Sequence, residues 1–183
     1  MENQKWNIDD THSEIIFKVK HMMVSNVSGA FEKFEGTAES NDDDFSNAKF
    51  TFKANIDSIN TRNADRDAHL KSDDFFNAES YPQLKFESTS FEKDGDDYKL
   101  KGDLTIRDVT KEVELDVEFN GVAVDPYGQT KAGFELSGKI NRKDFGLKWS
   151  AVTEAGSIVV SDEVKLSLNV QLVKQEVAES VEA

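Results

Sequence analysis

Cysteine is absent from the 183 residues, so no disulfide or thiolate metal site is open to the chain and its fold is indifferent to redox compartment. Proline occurs only twice and 37% of residues are hydrophobic, a composition of a globular body rather than a disordered one. Basic residues are the scarcer charge, 22 against 36 acidic ones, for a net charge of −14. With no local basic run, that balance argues against nucleic acid or an anionic membrane surface as partner. No stretch reaches the ~18 consecutive apolar residues of a membrane-spanning helix. The opening residues lack a charged region followed by an apolar one, so no signal peptide is expected. The expected location is therefore cytoplasmic, or periplasmic where a leader has been removed.

What is present is alternation. The length favours one domain, spanning 1–174, followed by an acidic flexible tail over 175–183. A short first strand over 6–8 turns at Asp9-Asp10. Ile15, Phe17, Val19 and His21 then share one face against Glu14, Lys18 and Lys20, with Ile16 as the exception. A second strand over 27–38 carries Phe31 and Phe34 at odd spacing, which predicts a bulge or bend near 29–33. Asn41 to Asp44 reads as a solvated turn rather than a calcium loop, since it lacks spaced ligands and a distal Glu. Phe50 and Phe52 alternate with Lys49, Thr51 and Lys53 in the clearest strand. Later strands place Leu84 and Phe86, then Leu100 and Leu104, then Val113 to Phe119, Phe134 and Leu136, and finally Ile158 through Leu166 to Leu172 on apolar faces. An irregular stretch over 141–156 precedes the last of these.

One segment, 58–82, breaks the alternation. It sets Arg62, Asp65, Arg66, Asp67 and His69 beside Leu70, Phe75 and Phe76. Asn63 can cap a short helix running to about Leu70 or Lys71, Ser72 can start one further turn, and Tyr81-Pro82 ends the insertion. Eight to nine strands with short connections predict an all-β antiparallel fold, open to either a sandwich or a barrel. Strands of ~10 residues suit a tall eight-stranded barrel whose interior holds side chains or one slender ligand, with 58–82 as a short helical cap.

Several motifs in order then name a family. They are Asp10-Thr11-His12-Ser13 leading to Phe17, Gly29-Ala30-Phe31 with Gly36, Ile59-Asn60-Thr61, Arg66 to Ser72 and Phe75-Phe76. Tyr81-Pro82, Phe86 to Thr89, Gly102 to Ile106 with Val109-Thr110-Lys111, and Arg142 to Leu147 complete the set. The chain resembles the YceI family, polyisoprenoid-binding, lipocalin-like bacterial proteins, over about 6–174. Asp108 departs from the family's usual glycine, a local turn variant. The resemblance implies an extended barrel with an elongated apolar tunnel for a polyisoprenoid, prenyl quinone or fatty-acyl amphiphile, held as carrier or store.

Expected lining and cap residues are Phe17, Val19, His21, Phe31, Phe34, Phe50, Phe52, His69, Leu70, Phe75, Phe76, Phe86, Leu104, Phe134, Leu136 and Leu166. No catalytic residue is expected: there is no nucleophile elbow, phosphate loop or dinucleotide fingerprint. Asp9, Asp10, His12 and Ser13 offer triad types, but strand neighbours alternate faces. Three histidines without close pairing give no metal site, and no cofactor is expected beyond the bound isoprenoid or quinone as ligand. Arg66 and Asp67 are read as cap-holding residues with separate partners, and His21 as a hydrogen-bonded core histidine. Two alternatives remain: a structural or stress-related protein with a filled core, able to form a homodimer through an edge strand, and an enzyme acting on such a lipid with His21 as its acid–base group.

Overall fold

A computed structural model describes residues 4–41, 45–149 and 160–175. The alternating stretches become eleven strand segments: β1 Gln4–Ile8, β2 Glu14–His21, β3 Ser25–Phe31, β4 Phe34–Ser40, β5 Lys49–Asn55, β6 Ile59–Asn60, β7 Gln83–Asp94, β8 Asp97–Ile106, β9 Val109–Val124, β10 Thr130–Asn141 and β11 Glu163–Lys174. The single α-helix among the described residues is α1, Ala64–Lys71. β11 pairs with β1 at Leu172 to Lys174 and with β2 at Lys165 to Asn169 along one edge, and with β10 along the other. β1 with β2, β3 with β4, and β5 with β6 are therefore three interrupted strands. With the five unbroken ones they make eight, each antiparallel to the next, and the β1–β11 pairing closes them into a barrel.

The interruptions fall where the period fails. β3 stops at Phe31 and β4 starts at Phe34, the bend anticipated from the odd Phe spacing. Asp9 caps a 3₁₀ turn over Asp10–His12 between β1 and β2. The hairpin at Gly95 uses a left-handed glycine (φ 66°), as a two-residue turn with matched twist demands. Gly102 has a different reason. A Cβ there would stand 2.4 Å from the Phe86 ring and 2.5 Å from the Glu87 carbonyl, so only glycine lets that ring lie flat along the wall. The last strand begins at Glu163, later than the sequence pattern suggests. Val160 forms only an isolated bridge to His21, and Ile158 lies outside the described residues. So do Asp42 to Asp44 of the expected turn and 176–183 of the expected tail; Gln175 still donates its N–H to the Lys5 carbonyl.

The two barrel ends differ. At the end holding the β4–β5 connection and the Gly95 and Tyr127 hairpins, an aromatic cluster fills the bore. Trp6 and Phe45, both fully buried, have ring centroids 4.9 Å apart, and Phe45 packs edge-on to Phe134 (5.1 Å) and Phe119 (5.5 Å). Phe91 stacks on Tyr98 and meets Phe50. Each such pair adds to the area it buries, and together they plug that end. The other end carries α1, the β2–β3 hairpin and the 3₁₀ turn Arg142–Phe145 after β10.

Candidate functional site

The cap is tied to the barrel at one threonine. Strand pairing ends at Asn60, and Thr61 behind it is buried. Asp67 accepts from the Thr61 N–H (2.9 Å) and hydroxyl, while Arg66 donates through Nε to Thr61 Oγ1 (2.8 Å) and through Nη2 to the Thr61 carbonyl. The two charged neighbours thus converge on one residue, contrary to the separate partners expected from their adjacency. Thr61 offers a donor and acceptor on both backbone and side chain, so each can be served at once. Asn63 accepts from the Arg66 N–H as the helix N-cap. His69 bonds Asp74 Oδ2 at 2.8 Å, with its ring edge-on to Phe75 (5.1 Å) and Trp149 (4.8 Å).

Beside the cap, Arg142 is only 3% exposed. Its guanidinium donates to the carbonyls of Leu147 (2.6 Å), Trp149 (2.7 Å) and Ser161 (2.9 Å), with Val160 at 3.4 Å. The planar fork of five donors lets one side chain hold the segments before and after 150–159 together. Burial pushes the guanidinium down from its ordinary value, against the pull of Asp162; the carbonyl cage keeps the charge tolerable in a dry setting. Its carbon also lies 5.9 Å from the centre of the Phe75 ring. In the sequence Arg142 stands only within the Arg142 to Leu147 motif, and nothing in its spacing announces burial.

Between plug and cap lies a cavity of about 380 Å³, within the ~300–1,000 Å³ range of small-molecule sites. Its wall is overwhelmingly carbon. Phe17, Val19, His21, Phe31, Phe50, Phe52, His69, Leu70, Phe75, Phe76, Phe86, Leu104, Phe134, Leu136 and Leu166 all line it. Phe34 does not: it keeps the inward register, opposite the buried Ala54 as Gly36 is opposite Phe52, but its ring lies against the Phe52 ring, tilted at 5.9 Å, and is packed in the wall short of the cavity. Trp149, Arg142 and Thr61 line the cavity without having been anticipated; all three lie in irregular segments, where no two-residue period points inward. Every ionisable side chain on the described lining is basic or imidazole, namely Lys20, His21, Arg66, His69 and Arg142. These gather at the cap end, where Lys20 is exposed and His21 and His69 are half-buried. His21 makes no side-chain hydrogen bond among the described residues, so it is a mouth residue rather than a satisfied core one. Thr37 and Thr51 border the cavity where Gly36 thins the wall.

The triad types at the β1–β2 corner meet more closely than strand alternation allows. The 3₁₀ turn brings His12 Nδ1 to 2.8 Å from Asp9 Oδ2. Ser13 Oγ, however, accepts the Gln171 N–H at 3.0 Å, and no nucleophile stands on the far side of the imidazole among the described residues. Asp9 also takes hydrogen bonds from Thr11 and from Lys131 Nζ (2.9 Å). Burial alone would raise its carboxyl, but these donors outweigh it and hold the group well below the usual carboxylate range.

Among known proteins, the model of the YceI-like domain matches residues 6–172. A UPF0312 protein of Staphylococcus aureus is 38% identical over 167 residues, covering 91% of this chain and 95% of its own length. The crystal structure of a YceI protein from Campylobacter jejuni is 37% identical with a TM-score of 0.73, covering 87% of this chain and 91% of that one. A polyisoprenoid-binding domain from Saccharophagus degradans, implicated in plant cell wall breakdown, shares the fold at 14% identity with a TM-score of 0.69, covering 93% and 98%. With a closed eight-stranded barrel, a helical cap and a family match over nearly its whole length, the chain belongs to the YceI family.

Proposed function

We propose that this protein binds one long, thin, apolar amphiphile in its barrel, of the polyisoprenoid, prenyl quinone or fatty-acyl type, and serves as its carrier or store rather than as an enzyme. The observation that carries the reading is the cavity: a closed aromatic floor, a carbon wall and a mouth bearing only basic or imidazole ionisable groups among its described lining. A buried methylene contributes ~0.8 kcal/mol, so a five-carbon isoprene unit gives ~4 kcal/mol gross. Micromolar affinity requires about 8 kcal/mol net, so three or four units suffice after ordering costs. The basic mouth favours an electron-rich head group, a quinone carbonyl, phosphate or carboxylate, over a cationic one. The polyisoprenoid-binding description of the Saccharophagus domain supports the same class of guest.

A filled core is disfavoured by the cavity volume. Catalysis is disfavoured by how the acid–base candidates are held. His69 is paired with Asp74 (2.8 Å) and wedged between the Phe75 and Trp149 rings as part of the cap, and His21 has no hydrogen-bonded partner among the described residues. Native mass spectrometry of the purified protein, with organic extraction of what travels with it, tests the reading. One bound prenyl or acyl species per chain is the expected result. A clean unliganded mass that persists when a prenyl quinone is offered would sink it. A His21→Ala variant should retain binding, and turnover of the lipid by wild type but not by that variant would restore the enzyme.

A further inference from the structure

The β2–β3 hairpin beside the cavity mouth is built against ordinary rules. Met22, Met23 and Val24 at its tip are 41%, 59% and 84% exposed, three contiguous apolar side chains in water. Met22 and Met23 both take left-handed backbone angles (φ 53° and 62°), and the Val24 N–H closes the turn on the His21 carbonyl at 3.2 Å. Turns with two such residues strongly favour Asn-Gly, and unbranched side chains there are strained. Neither burial nor turn propensity accounts for methionine at these positions.

Charge is also segregated around this tip. Lys139 lies opposite Lys165, and Lys165 opposite Lys18, across β10, β11 and β2. Lys20 follows on the same outer face, and the β3 residues facing Lys18 and Lys20 are the neutral Ser28 and Asn26. Lys139 is paired with Glu163 at 3.3 Å, while Lys18, Lys20 and Lys165 have no ion pair among the described residues. Like charges placed directly opposite one another weaken a sheet. This row occurs in a chain of net charge −14, whose overall balance alone would repel an anionic surface.

We infer that the Met22-Met23-Val24 tip and the Lys18, Lys20 and Lys165 face dock the cavity mouth on an anionic lipid bilayer, where the guest enters or leaves. Apolar side chains reach the acyl boundary while lysines meet head groups, the division seen in interfacial anchors. Val19, Lys20, His21 and Val27 at the hairpin's base line the cavity, so the docked tip is continuous with the guest's path. The opposite end has its own exposed apolar pair, Val124 and Tyr127, but it flanks Asp125 and the plugged floor and serves as a control.

This inference rests on the carrier reading, and the experiment separates the two. Co-sedimentation is measured with vesicles of phosphatidylcholine alone and of phosphatidylcholine mixed with phosphatidylglycerol, alongside binding of a prenyl quinone delivered from detergent. The wild type should bind only the anionic vesicles, and less as salt rises. Met22→Asn/Met23→Gly/Val24→Ser suits the turn better while removing the apolar tip, and Lys18→Glu/Lys165→Glu, at two lysines that do not line the cavity, reverses the face. Each should weaken vesicle binding about tenfold or more with quinone binding from detergent unchanged, whereas Val124→Ser/Tyr127→Ser should match wild type. No vesicle binding by a wild type that takes up quinone, or equal loss in the control variant, overturns the docking site. Vesicle binding without quinone uptake overturns the carrier reading and leaves the docking site standing.

Discussion

At the residue scale, two buried or half-buried charges hold irregular backbone in place. Asp9 joins the β1–β2 corner to β10 through Thr11, His12 and Lys131. Its carboxyl titrates below the ~3.9 of an unfolded chain, so its contribution is complete above that range and is lost as pH falls towards the folded value. Asp9→Asn should cost about 1–2 kcal/mol at neutral pH, with the deficit shrinking in acid. Urea denaturation at pH 7 and pH 3 checks this, and a deficit independent of pH would show the ionisation to be irrelevant. Arg142→Lys is not conservative: one ammonium cannot span carbonyls on both sides of 150–159. It should destabilise by about 3 kcal/mol or more, read as a fall in thermal midpoint, and an unchanged midpoint would mean the carbonyl cage is not needed.

At the element scale, alternation decides nearly everything and its failures decide the rest. The faces of β2, β5, β7 and β8 were legible because Phe17, Phe50, Phe86 and Leu104 alternate with charged neighbours. The cap helix was legible because Asn63 precedes acids and the Tyr81-Pro82 pair closes the segment. Phe34 shares the inward register of Phe31 and Phe52, and what keeps it from the cavity is its packing against the Phe52 ring, which no spacing announces. Arg142, Thr61 and Trp149 were not legible because their inward orientation comes from tertiary hydrogen bonds and rings, not local spacing. The same pleat places Glu118 directly opposite Glu135 on β9 and β10. The hydrogen bond and repulsion from Glu135 raise the Glu118 carboxyl, so the folded state holds that proton more tightly and the pair penalises folding once both ionise. Glu118→Gln should therefore raise the urea midpoint at pH 7 and lose that advantage in acid; a lower midpoint at pH 7 would mean the pair is favourable.

At the scale of the whole molecule, the eight strands form a vessel with one end stoppered by rings and the other covered by α1. Both the 380 Å³ space and the close approach of Gly102 to the Phe86 ring follow from the same inward register. Replacing Leu136 with Trp should occupy that space, abolishing guest uptake while leaving the thermal midpoint within a few degrees, since added apolar volume fills a void rather than crowding a packed core. Loss of folding instead would mean the space is not available to a side chain.

The two tryptophans permit the most direct test of the barrel as a vessel. Trp6 is buried in the plug and Trp149 lines the cavity, so Trp6→Phe leaves a single reporter at the mouth of the site. Titrating that variant with a prenyl quinone should quench Trp149 emission saturably, with the break at one quinone per chain, and adding Leu136→Phe/Leu166→Phe, which fills the cavity without a second indole, should abolish the break. Quenching that rises linearly without saturation, or that survives the filled cavity, would place the quinone outside the barrel and contradict the account.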